Sequence, residues 1–200
     1  MKQPAIHGRH MTMKRPTQLS AKTDTYWALK IRHTWDGEAV GIDETVAVTM
    51  ELGEGELTLE IDAPFHDDPP PDSDDLWTYE VVEVMLVGED DTYLEVELSP
   101  HGQYLVLFLH GERNVVRRGD HLDFRVDLDV DRGRWHGVAQ IPTGWLPLET
   151  DRLNAFAMHG TQSQRRHLAW KPTGGPEPDF HRLSTFGSLA ECARDRRESC

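Results

Sequence analysis

Residues 76–109 read LWTYEVVEVMLVGEDDTYLEVELSPHGQYLVLFL, three apolar runs parted by the turn clusters GEDD and SPHG. Runs joined by connections this short have only each other to pair with, so the stretch predicts an antiparallel meander. A meander also fixes which side chains become neighbours. It gathers Trp77, Glu80, Glu83, Tyr93, Glu95, Glu97 and Tyr104 into one region, and so concentrates the polar chemistry of the chain there.

Strict alternation recurs outside this stretch. Val46, Val48, Met50 and Leu52 share a face, as do Leu57, Leu59 and Ile61, with Gly53-Glu54-Gly55 as the hairpin between the two runs. Leu122, Phe124, Val126, Leu128 and Val130 alternate with Asp123, Arg125, Asp127 and Asp129. Further strands are expected over residues 28–33, 135–141, 153–159 and 167–170. About ten short strands at this density predict an all-β chain folded as an antiparallel β-sandwich, jelly-roll or immunoglobulin-like. Helix is expected only as a short terminal piece over 184–197, with Ser184 as cap and Phe186, Leu189, Ala190 and Ala193 on one stripe. Residues 62–75 carry four prolines among aspartates, which predicts a surface loop rather than strand or helix. Its aspartates are a candidate calcium site, although their spacing matches no EF-hand.

With 200 residues, 38% of them hydrophobic, the chain suits a single domain. The expected division is a disordered segment over 1–25, the sandwich over 26–190 and a flexible tail over 191–200. No apolar run approaches the roughly 20 residues needed to span a bilayer, and no apolar stretch follows the basic N-terminal residues. A cytoplasmic protein without membrane contact is therefore expected. Cys192 and Cys200 lie too near the end to staple a fold and read as free thiols. Between Arg32 and Arg113 there are 22 acidic residues and no Lys or Arg, within a chain of net charge −14. Such an acidic surface repels phosphate backbones and argues against nucleic acid as a partner.

The blocks LWTYEVVEVML, YLEVELSPHG, RWHGVAQIP, LNAFAMHG, LAWKP and DFHRLSTFG, in this order, resemble family 9 carbohydrate-binding modules and their DOMON-like relatives. Within that group, HTWDG, APF, DPP, YEVVE, YLEVEL, PHGQ, RNV, FAMHG and PDFH are most similar to the uncharacterised family typified by the vertebrate chromosome 4 open reading frame 33 protein. The resemblance implies a β-sandwich and brings no established activity with it. It sets Glu80 and Glu83 at an acidic pair of the broader group, with Tyr93, Asn154, Trp170 and Phe186-Gly187 at its later blocks. Val138, Ser99 and His159 depart from that pattern.

Saccharide recognition needs a ring to stack on the C–H face of a pyranose, flanked by groups that hydrogen-bond its hydroxyls. Trp77, Tyr79, Trp145 and Trp170 are the candidate rings, with Glu83, Glu95, Arg113 and Asn114 as polar partners. The primary expectation is thus binding of a small polar ligand, a saccharide among the candidates, with no cofactor required. An enzyme reading starts instead from Glu83, Glu95 and Glu97 with His101, His159 and His181. Crowded carboxylates can share a proton for acid and base work, as in a hydrolase or lyase, or hold a divalent ion. Within that reading Glu83, Glu95 and His159 are the catalytic candidates. No H-E-x-x-H, G-x-S-x-G or Gly-rich phosphate loop is present. A third alternative is an acidic module for protein interaction.

Overall fold

The computed structural model describes residues 26–70 and 75–194. The segment over 1–25, Cys200 and the last part of the expected tail and helix lie outside the described residues.

Two antiparallel sheets face each other. The smaller contains β1 (Tyr26–Ile31), β3 (Val46–Leu52), β4 (Glu56–Pro64), β10 (Arg134–Pro142) and β9 (Asp123–Asp129), in that order. The larger runs β2 (His33–Thr34), β12 (Arg166–Ala169), β11 (Arg152–His159), β5 (Val81–Val87), β6 (Thr92–Leu98), β7 (Tyr104–His110) and β8 (Val115–Arg118), with β13 (Gly187–Ser188) also on β11. The expected meander is β5, β6 and β7, paired antiparallel in sequence order. Its turns are the GEDD and SPHG clusters, where Gly88 N–H donates to Thr92 O and Ser99 N–H to Gln103 O. The Gly53–Gly55 hairpin also forms, with Gly55 at φ +95°.

Alternation decides which side chains fill the space between the sheets. Val48, Met50, Leu59 and Ile61 meet Val82, Val84, Leu94 and Val96 there, each nearly or wholly buried. Unusually, all seven residues of β5 are buried, so this strand is covered on both faces. Val81, Met85 and Val87 point outward into a second apolar cluster with Leu107, Phe156, Phe180 and Phe186. The cover over that outer face is the 3₁₀ turn Leu76–Thr78 and the segment carrying Phe180 and Leu183.

Two expectations need correction. β4 continues through Asp62, Ala63 and Pro64, because Pro64 occupies the strand's last position, where a missing N–H is tolerated, and Asp62 is anchored by Arg134. The expected loop therefore begins at Phe65. The expected helix is reduced to α1 (Leu189–Cys192), capped by Ser188 and not Ser184. Phe186 faces the outer cluster and Leu189 the inner one, so they belong to no single stripe. Gly187 and Ser188 pair with Leu153 and Arg152 instead. After α1, Ala193 bridges to Trp27, and Arg194 N–H donates to Tyr26 O at 3.1 Å. Among the described residues, no helix is long and apolar enough to cross a membrane.

Candidate functional site

Glu83 on β5 stands directly opposite Glu97 on β6, and Glu95, two residues earlier on the same face, opposes Met85. Side chains two apart on a strand share a face, and diagonal neighbours across a pair lie within reach of long side chains. One carboxylate oxygen from each of the three glutamates falls within 4.8 Å of the others. All three residues are at most 3% exposed. Phe156 faces Glu83 across the other edge of β5, while Leu105 and Leu107 face Glu97 and Glu95. The carboxylates thus form a polar island inside an apolar layer.

Two unit charges about 4.8 Å apart repel by about 3 kcal/mol at an effective dielectric near 20, so three bare carboxylates here are strongly disfavoured. Burial, then Glu95 and Glu97, hold Glu83 well above the usual carboxylate range. Burial pushes Glu95 up to about 7. Glu97 is pushed to about 9 by burial and by Glu95, against a weaker downward pull from Arg118. Without another cation, protons supply the neutrality.

One edge of the island is organised by Tyr93. Its hydroxyl lies 2.8 Å from His181 Nδ1 and accepts from the Arg113 backbone N–H. His181 Nδ1 is 4.0 Å from Glu95 Oε2, and burial, then Arg113, lowers this imidazole to about 4. The Arg113 guanidinium turns outward to Asp179 at 2.7 Å, so it does not neutralise the glutamates.

A separate cluster occupies one end of the sandwich. His66 and His159 stack at 3.5 Å, nearly parallel, and His159 Nε2 lies 3.1 Å from Glu44, which also accepts from Arg166. Burial, then His66, lowers His159 to about 4. The buried Glu80 accepts from the backbone N–H groups of His66 and Asp68 and is nevertheless raised to about 7 by burial.

Beyond the island, Tyr93 also borders an open groove of about 510 Å³. Trp145 and Phe108, ring centroids 5.7 Å apart and edge to face, line its apolar side. Glu89, Asp90, His110 and Arg117 supply its polar groups, with Arg117 lying over the Phe108 ring at 3.6 Å.

The structure therefore unites only part of the candidate set. Glu83 and Glu95 meet, joined by Glu97. Trp77, 42% exposed, and Tyr79 belong to the covering turn, where Arg165 donates to both their carbonyls. Asn114 donates outward to His110 O. Trp170 packs against the inner core beside Lys171 and Gly187, on the face opposite the glutamates. His159 likewise belongs with Glu44 and His66, so Glu83, Glu95 and His159 form no common centre. Of the aspartates expected in the loop, Asp68 is engaged by Gly160 N–H and Asp62, which belongs to β4, by Arg134, while Asp72 and Asp74 lie outside the described residues. Sequence reasoning missed Phe108, His110 and Arg117 as groove residues and the His66–His159 stack, neither of which has a local signal.

No family model matches the chain. Among curated proteins, the chain is 39% identical over 176 residues to the human UPF0462 protein C4orf33, covering 80% of this chain and 86% of the human one. It is 41% identical to the rat homologue, covering 78% and 84%, and 36% identical to the zebrafish (Danio rerio) homologue, covering 78% and 85%. Among solved structures, a candidate carbohydrate-binding protein from Bacteroides uniformis superposes with a TM-score of 0.60 at 16% identity, covering 82% of this chain and 85% of the other. That likeness establishes the shared sandwich fold.

Proposed function

This chain belongs to the UPF0462 family, and on that premise we propose that it is a binding module for a small polar ligand of the saccharide class. The observation that carries this reading is the Trp145 groove. It combines an aromatic wall with carboxylates, an imidazole and a guanidinium at its rim, the pairing of surfaces that a pyranose ring requires. Its volume of about 510 Å³ suits a mono- or disaccharide, given that ligand clefts commonly measure about 300–1,000 Å³. The fold shared with a protein described as a candidate for carbohydrate binding supports the same class. A Glu- and His-based hydrolase finds less support, because Glu83 and Glu95 are each 3% exposed and His159 stands apart from them with Glu44 and His66.

The test is a thermal-shift screen against monosaccharides, oligosaccharides and sugar phosphates at millimolar concentration, since a ligand that binds only the folded state raises the midpoint. A saccharide-specific rise is expected. It should disappear in Trp145→Ala and persist in part in Trp145→Phe. Loss in Trp77→Ala alone would move the site to the covering turn, and a flat response to every sugar would refute the reading.

A further inference from the structure

We infer that Glu83, Glu95 and Glu97 form a binding site for a hard divalent cation, calcium foremost. This goes beyond the saccharide reading and stands whether or not a sugar binds. Close acidic side chains are common at protein surfaces without any ion. Two features separate this group from those.

The first is geometry. One oxygen from each carboxylate lies within 4.8 Å of the other two, a spread that one ion can bridge with ligands at about 2.4 Å. The residues come from two adjacent strands in the middle of the large sheet, so their backbone positions are fixed by the ladder before any ion arrives. The second feature is unmet bonding capacity. Glu83 Oε1, Glu95 Oε2 and both oxygens of Glu97 are buried with no partner beyond the contact that the Glu95 and Glu97 carboxyls make with one another. Buried polar atoms are almost always satisfied, and a group of unsatisfied ones marks a place where something else binds. Arg118 pulls Glu97 downward less than burial and Glu95 push it up.

The donor set selects the ion. Three carboxylates without thiolate or directly ligating imidazole favour calcium, magnesium or manganese over zinc or copper. His181, between Tyr93 and Glu95, is placed as an outer partner that orients the Glu95 carboxylate.

The experiment uses the full chain, stripped with chelator and titrated with calcium, magnesium or manganese chloride alone, in the absence of any sugar. Binding is followed by calorimetry and by terbium luminescence sensitised by nearby aromatic residues. One ion per chain is expected, with affinity weakened more than about tenfold in Glu97→Gln and in Glu83→Gln. Glu80→Gln, a buried glutamate in the separate end cluster, should bind the ion as the parent does. Circular dichroism confirms that each variant is folded. Should a substitution at Glu97 prevent folding, Glu83→Gln and the luminescence titration of the parent protein still decide the matter. Absence of binding at millimolar ion, or binding unchanged in a folded Glu97→Gln or Glu83→Gln, would overturn the proposal and leave a proton-sharing carboxyl cluster. The Trp145 variants, assayed with sugar alone, separate failure of the saccharide reading from failure of this one.

Discussion

Replacing Glu80 by Gln should make the stability of this protein depend on pH in a way whose sign is fixed in advance. Glu80 is 3% exposed, accepts from the His66 and Asp68 N–H groups, and is raised by burial from an ordinary value of 4.5 to about 7. A group held higher in the folded state contributes stability that is fully present below pH 4.5 and lost as pH rises through about 7. Each pH unit of displacement is worth about 1.4 kcal/mol, so ionising Glu80 in place costs about 3 kcal/mol. Gln is nearly isosteric and does not ionise. The variant should therefore gain about 3 kcal/mol relative to the parent between pH 5 and pH 8, or roughly 10 °C in melting temperature for a chain of this size. His66 and His159, both lowered by burial, act in the opposite direction, losing stability as pH falls from about 6.5. They are common to both proteins and cancel in the difference. Urea denaturation at pH 5, 6, 7 and 8, read by circular dichroism, supplies that difference directly. A difference that stays flat, or that shrinks as pH rises, would refute the claim that burial outweighs the two backbone hydrogen bonds at Glu80.

Glu97 is held up to about 9, so by the same linkage the parent protein in chelator should lose stability as pH rises from 7 to 10, and Glu97→Gln should flatten that decline in a melting series. Gly88→Ala would drive a Cβ into Leu148 O and the Pro147 ring; a loss of about 2 kcal/mol is expected, measurable by urea denaturation. Ser188→Ala removes the side-chain half of the capping box that Ser188 and Glu191 form at α1. It should cost about 1 kcal/mol and speed hydrogen exchange at the amides of Ala193 and Arg194.

The meander and the Gly53–Gly55 hairpin were legible because period-two alternation and turn chemistry are local, and they name both the strands and their partners. Glu83, Glu95 and Glu97 were legible for the same reason: strand parity and the short GEDD turn bring them to one face. The position of His159 was not. Its parity matches Ala157 and opposes Phe156, so which face it takes depends on the pairing of β11 with β5, a contact between segments some 70 residues apart. Trp170 followed Leu168 to the inner core by the same rule, away from the glutamates it was expected to join. The helix expected from Ser184 failed because Gly187 and Ser188 complete β11 as a short strand, and no helical propensity outweighs that long-range pairing. Phe108 and Trp145 come together from β7 and the turn after β10, which only the closed sandwich determines.

The meeting of Ala193 and Arg194 with Trp27 and Tyr26 bears on how the protein is made. Strand β1 is the first described element to be synthesised, and its outer edge meets residues 193–194 only after all the other described strands have been made. A growing chain can assemble the meander early, from neighbours in sequence, yet it carries an open strand edge, a template for mispairing, until residues 193–194 have been made. Truncations just before Leu189 should then cost more in soluble yield than the few contacts they remove would suggest, because what they delete is the seal.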